Sequence, residues 1–130
     1  MSETLSIVYA EDDPDIQMIA TIALKDIGGF EVHICNDGNE AIEKLNTIKP
    51  DLILLDVMMP KKDGPTALHE LKQIHGSNLP PVVFITAKAS SKEVDKLIEL
   101  GAVGVITKPF DPMSLAQEVT ALIQESRNGK

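Results

Sequence analysis

Five short apolar runs punctuate the chain, at residues 5–10, 30–35, 51–56, 81–86 and 103–107. Each has the length of a strand and is rich in Val and Ile. SIVYA, LILL and VVFIT are almost unbroken, which suits parallel strands buried on both faces. FEVHIC alternates instead, with Phe30, Val32 and Ile34 on one side and Glu31, His33 and Cys35 on the other. That alternation predicts a strand at the sheet edge.

Between the runs the apolar period is helical. Ile16, Ile19, Ala20, Ala23, Leu24 and Ile27 form one stripe, halted by Gly28-Gly29. Ala41, Ile42, Leu45 and Ile48 mark a second helix, and Ala67, Leu68, Leu71 and Ile74 a third. Val94, Leu97 and Ile98 mark a fourth, ended by Gly101, and Leu115, Val119, Leu122 and Ile123 a fifth. Asp13-Pro14 and Asp111-Pro112 each predict an N-cap followed by proline at the first helical position, and Ser90 with Glu93 reads as a capping box. Strict alternation of strand and helix gives an α/β protein, (βα)5, doubly wound about a parallel five-stranded sheet. No repeat or linker interrupts it, so residues 1–130 are expected to be one domain with its core at about 5–123. The polar residues 125–130 are expected to fray.

Composition narrows the class. The chain has 130 residues, 12 Lys+Arg and 20 Asp+Glu, for a net charge of −8. A hydrophobic share of 43% excludes disorder, and a single cysteine, Cys35, excludes an internal disulfide. No run is long enough to span a bilayer, and no signal peptide is evident. The expectation is a cytoplasmic protein without membrane contact. The acidic balance argues against direct nucleic-acid binding, which favours a basic face.

Ligands of open α/β sheets bind beyond the carboxyl ends of the strands. Glu11, Asp12 and Asp13 follow the first strand, Asp56 ends the third, Thr86 ends the fourth, and Lys108-Pro109 follows the fifth. Carboxylates gathered at one spot repel unless a cation lies among them. An all-oxygen set suits a hard ion, Mg2+ or Mn2+. With a hydroxyl and an ammonium opposite, such a site is built to hold a phosphoryl group, and one carboxylate can act as nucleophile.

YAEDDP, LILLDVMMPKKDG, VVFITA and the later KPF, in this order and at strand ends, resemble the receiver domain of two-component response regulators. The likeness runs from about Leu5 to Ile123. It implies a flavodoxin-like sheet in the order 2-1-3-4-5. It also implies Asp56 as phosphoacceptor, and Glu11, Asp12, Asp56 and the main-chain carbonyl of Met58 as Mg2+ ligands. Thr86 becomes the switch hydroxyl, and Lys108 the partner of a phosphoryl oxygen, before a cis bond to Pro109. The implied partners are a sensor histidine kinase or phosphotransfer protein and a downstream protein target. The implied output is a change in the face formed by the fourth helix, fifth strand and fifth helix. The only catalysis implied is of the domain's own phosphorylation and dephosphorylation.

This chain departs from the family at several positions. Val105 stands where an aromatic gate is frequent. Met58 and Lys88, which flank the site, offer no carboxamide or acid to orient an attacking water, so a long-lived phosphoryl group is expected. Ser114 and Glu118 replace members of the ion-pair network that joins winged-helix regulators, so a monomer or weak dimer is expected. His33, His69 and His75 have no metal-ligand spacing with the acids, and Cys35 reads as an inert thiol. Two other classes are weighed. A haloacid-dehalogenase-like phosphatase could use Asp56 as nucleophile, but it needs a second acid where Met58 stands. A flavodoxin-like nucleotide carrier would meet phosphate-repelling acids after the first strand, so no organic cofactor is expected.

Overall fold

The computed structural model describes residues 4–128. Five strands, β1 (Ser6–Ala10), β2 (Glu31–Cys35), β3 (Leu52–Asp56), β4 (Val82–Thr86) and β5 (Gly104–Thr107), pair in parallel in the order β2-β1-β3-β4-β5. The five helices are α1 (Pro14–Thr21), α2 (Gly38–Lys44), α3 (Gly64–His75), α4 (Ser91–Glu99) and α5 (Leu115–Asn128). Every predicted strand is present and ends at the predicted residue, and the alternating strand β2 is an edge.

Strand alternation divides the core into two layers. Ile7, Tyr9, Leu52, Leu54, Val83, Ile85 and Ile106 pack beneath α1 and α5. Val8, Ala10, Ile53, Leu55, Val82 and Phe84 pack with Ala41, Leu68, Leu71 and Leu97 of α2, α3 and α4. The middle strands β3 and β4 are buried at every position, as their unbroken apolar runs require. Cys35 is buried in the second layer, and burial pushes its thiol up to about 11, in keeping with an inert role.

Four features differ from the sequence reading. The first helix does not stay α to its end: Ile22–Ile27 form a π-helical segment, and Gly28 donates to the carbonyl of Ala23. The wider turn lets the Phe30 amide return to the Leu24 carbonyl and drops the Phe30 ring into the core. Of the predicted stripe only Ala20, Ala23 and Leu24 are buried, while Ile19 and Ile27 face solvent. The second helix stops at Lys44, which leaves Ile48 beyond the turn at residues 45–47. Asp111 caps a turn through the Met113 amide (2.9 Å), and regular helix begins only at Leu115.

The last difference is at the end of the chain, where residues 125–128 are helical rather than frayed; residues 129 and 130 lie outside the described part. Arg127 fixes this turn by pairing with Asp51 (2.5 Å), whose other oxygen accepts from the Ser6 amide (2.7 Å). Asp13, Asp37, Asp63 and Ser90 cap α1 to α4 with their side chains.

Gly64, which opens α3, lies against the end of β3. A Cβ there would sit 2.5 Å from the Asp56 carbonyl oxygen and 3.0 Å from the Phe84 ring. Gly64→Ala should therefore destabilise the fold by about 1–3 kcal/mol, an overpacking cost, as read by urea denaturation. Wild-type stability in this variant would show that the β3–α3 junction has slack.

Candidate functional site

The carboxyl ends of β1, β3, β4 and β5 meet over a cavity of about 460 Å³ lined by Glu11, Asp12, Asp56, Met58, Thr86 and Lys108 among others. The strand-end residues Glu11, Asp12, Asp56, Thr86 and Lys108 are therefore brought together, with Met58 beside them. The ends of the neighbours β1 and β3 bring two buried acids to this cavity, Glu11 (1% exposed) and Asp56 (5%). Glu11 keeps the side-chain parity of Ile7 and Tyr9, and Asp56 that of Leu52 and Leu54, so both belong to the layer beneath α1 and α5. Asp12 is exposed at the mouth.

Lys108 reaches over from the end of β5 and bridges the buried pair. Its Nζ lies 2.7 Å from Asp56 Oδ2 and 3.0 Å from Glu11 Oε1. Burial favours the neutral amine, but the hydrogen bonds to Asp56 and Glu11 outweigh it and raise the lysine above its ordinary range. Burial pushes the Glu11 carboxyl up, against the opposing pull of Lys108 and the Asp13 amide. The Lys108–Pro109 bond is cis.

Two residues that the sequence reading passed over hold Glu11. The Tyr9 hydroxyl donates to Glu11 Oε1 (3.3 Å), and Gln17 Nε2 donates to the Glu11 carbonyl (2.5 Å) and to Asn36 Oδ1 (2.9 Å). Burial and the adjacent carboxylates push the Tyr9 phenol well above its usual range. A signal for Tyr9 was present: a phenol inside an otherwise apolar strand needs a polar partner, and Glu11 is two residues on, on the same side.

Glu11, Asp12 and Asp56 each offer a carboxylate oxygen, and these atoms lie within 4.8 Å of one another. Close, anionic, all-oxygen donors fit a hard divalent ion. The Met58 amide donates to Asp56 Oδ1 (3.3 Å), and the Met58 side chain is exposed. Thr86 is buried on the opposite parity, and its hydroxyl accepts from the Lys88 amide (3.0 Å) rather than meeting Asp56. Val105, where an aromatic gate was noted as missing, is half-buried against the α2–α4 layer. His33 pairs with Glu31 on the edge strand, and His69 and His75 lie on α3, outside the cavity.

Lys108 thus holds two acids that would otherwise repel in a poorly hydrated place. Lys108→Met should cost about 2 kcal/mol in urea denaturation at neutral pH, somewhat below a fully buried pair because the ammonium keeps some water. Adding Asp56→Asn should return part of that loss. An unchanged midpoint in Lys108→Met would mean that solvent, not Lys108, offsets the charges.

Comparison with known proteins agrees with this geometry. The response regulator receiver domain family matches residues 7–120. The transcriptional regulatory protein CpxR of Klebsiella pneumoniae is 38% identical over 122 residues, 92% of this chain and 50% of that protein. The alkaline phosphatase synthesis transcriptional regulatory protein PhoP of Bacillus subtilis is likewise 38% identical, over 92% of this chain and 49% of its own length. The chain therefore spans about half the length of the curated relatives it matches. The chemotaxis response regulator CheY4 of Vibrio cholerae superposes with a TM-score of 0.85 at 25% identity, covering 92% of this chain and 99% of that one. The phosphatase alternative gains no support from these matches. Among the described residues no helix is long and apolar enough to cross a membrane. A matching family over most of its length, a five-stranded sheet in the expected order and an acidic cavity with a lysine at the expected rim all agree: the chain belongs to the response regulator receiver domain family, the phosphoacceptor switches of two-component signalling.

Proposed function

We propose that Asp56 is the phosphoacceptor, with Glu11, Asp12, Asp56 and the Met58 carbonyl holding Mg2+, and Thr86 and Lys108 serving the phosphoryl group. The observation that carries this reading is the Lys108 ammonium on Asp56 Oδ2 at 2.7 Å, inside a cavity that also holds Glu11 and Asp12. An Asp56 oxygen attacks the phosphorus of a phosphohistidine or a small acyl phosphate. The new bond is the acyl phosphate P–O, and the electrons of the broken P–N or P–O bond leave with the imidazole or carboxylate. Bound Mg2+ would supply charge neutralisation for the phosphoryl oxygens. Lys108 is placed to pair with one of those oxygens once phosphorylation draws it from Asp56. Thr86 gains a competing acceptor for the hydroxyl that now faces the Lys88 amide.

The donor is a partner histidine kinase or phosphotransfer protein. An apolar cleft of about 360 Å³ beside Lys108, lined by Ile16, Ile19, Pro109, Phe110 and Pro112, gives such a partner a surface next to the acceptor. Output passes through α4, β5 and α5 to a downstream protein target. Ile98, Leu100 and Val103, in and between α4 and β5, are exposed large apolar side chains in that region. With Val105 in place of an aromatic gate, the response to Thr86 travels by backbone shift and repacking. The acidic receiver itself acts in the cytoplasm, as a monomer or weak dimer, without touching nucleic acid.

Acetyl phosphate with Mg2+ should add one phosphoryl mass at Asp56, and Asp56→Asn should abolish it. Modification elsewhere, or none, would defeat the assignment. Because Met58 and Lys88 leave no group to orient water, the acyl phosphate on isolated protein should persist for minutes or longer when its decay is followed by mass. A half-life of seconds would contradict that expectation.

A further inference from the structure

One side chain outside the cavity reaches into the acidic site from the core. Tyr9 is fully buried in β1, in the layer under α1 and α5. A phenol hydroxyl taken out of water needs a partner, and here it donates to Glu11 Oε1 at 3.3 Å. Glu11 is itself only 1% exposed, so water cannot serve its lone pairs. Three donors reach its carboxylate: Tyr9 and Lys108 on Oε1, and the Asp13 amide on Oε2 (3.1 Å).

These donors are not equivalent. Lys108 sits on a long, flexible stem and is shared with Asp56. A cation among the carboxylates would repel the ammonium, and a phosphoryl group on Asp56 would draw it, so either would loosen Lys108 from Glu11. Tyr9 and the Asp13 amide remain, one on each oxygen, and two fixed donors on opposite oxygens define the plane of a carboxylate. The Tyr9 ring is locked by the core and the Asp13 amide by the start of α1. We infer that Tyr9 is a positioning residue of the acidic site, its hydroxyl holding the Glu11 carboxylate in the orientation that cation binding uses. This rests on the proposed reading of Glu11 as a cation ligand. It goes beyond that reading by making the affinity of the site depend on a residue of the core.

Tyr9→Phe removes the hydroxyl and leaves the ring, so it separates positioning from packing. The 130-residue chain and its Tyr9→Phe variant are titrated with MgCl2 alone by calorimetry, with melting of the metal-free proteins as a control. Hydrogen bonds to ligating carboxylates commonly tune metal affinity by one to two orders of magnitude, and at 3.3 Å the low end applies: a roughly tenfold loss of Mg2+ affinity is expected. The wild type supplies a second readout, because the chain has one tyrosine and no tryptophan. A hydrogen bond to a carboxylate quenches tyrosine emission, and Mg2+ on that carboxylate withdraws charge from the accepting oxygen, so Tyr9 emission should rise along the Mg2+ titration with the midpoint seen by calorimetry.

Equal Mg2+ affinity in wild type and Tyr9→Phe overturns the inference and leaves the cation site standing. Should Tyr9→Phe fail to fold, the wild-type emission decides, and a Tyr9 signal unchanged through full saturation overturns the inference. No Mg2+ binding by the wild type removes the cation-site reading and the role of Tyr9 together.

Discussion

Mutual repulsion of carboxylates at one rim of the sheet is the constraint around which this molecule is arranged. Glu11 and Asp56 arrive on neighbouring strands, both nearly sealed from water, with Asp12 at the mouth. Left alone, two such charges destabilise each other and the fold that carries them. Lys108 offsets the cost from a third strand, and its ammonium touches both acids. The balance is incomplete: three carboxylates gather here, and Lys108 pairs with only two of them. What remains is a demand for further positive charge, and a divalent cation can meet it. A phosphoryl group on Asp56, as proposed, would change the same balance and with it the placement of Lys108.

The fold makes this crowding possible through topology and parity. The sheet order places β1 in the interior, with the chain winding to β2 on one side and to β3 on the other, so the carboxyl ends of β1 and β3 flank the switch point where ligands of such sheets collect. Alternation along the strands then decides which side chains meet. Tyr9, Glu11 and Asp56 share one side, and Thr86 continues the parity of Val82 and Phe84 on the other. Thr86 therefore starts with its hydroxyl on the Lys88 amide at the head of the β4–α4 loop. In the proposed reading, a change at Asp56 would have to cross the rim of the sheet to reach it.

Much of this was legible in the sequence because the signals are local and periodic. Unbroken apolar runs fixed the central strands, the alternating FEVHIC fixed the edge, and aspartates before helices marked their starts. Acids, hydroxyl and lysine were readable as strand-end residues. Features that depend on contacts distant in sequence were not. The π-helical end of the first helix answers to where Phe30 must be buried, and the ordered last turn of α5 answers to Asp51, 76 residues earlier. The reach of Lys108 to Glu11 as well as Asp56 needs the register of four strands. Tyr9 was hidden differently: inside SIVYA it counts as apolar, and only its hydroxyl, two residues before an acid, gives it away.

The central claim is that the acidic rim wants a divalent cation held by specific carboxylates rather than by general screening. Thermal melting against MgCl2 at constant ionic strength tests it most directly, because a ligand that binds only the folded state raises stability by mass action. The melting temperature of the wild type should climb with the logarithm of Mg2+ once the site fills, and Asp12→Ala should blunt the climb. Equal concentrations of charge supplied as NaCl should do little. A flat wild-type curve, or the same rise in Asp12→Ala and with NaCl, would contradict the account.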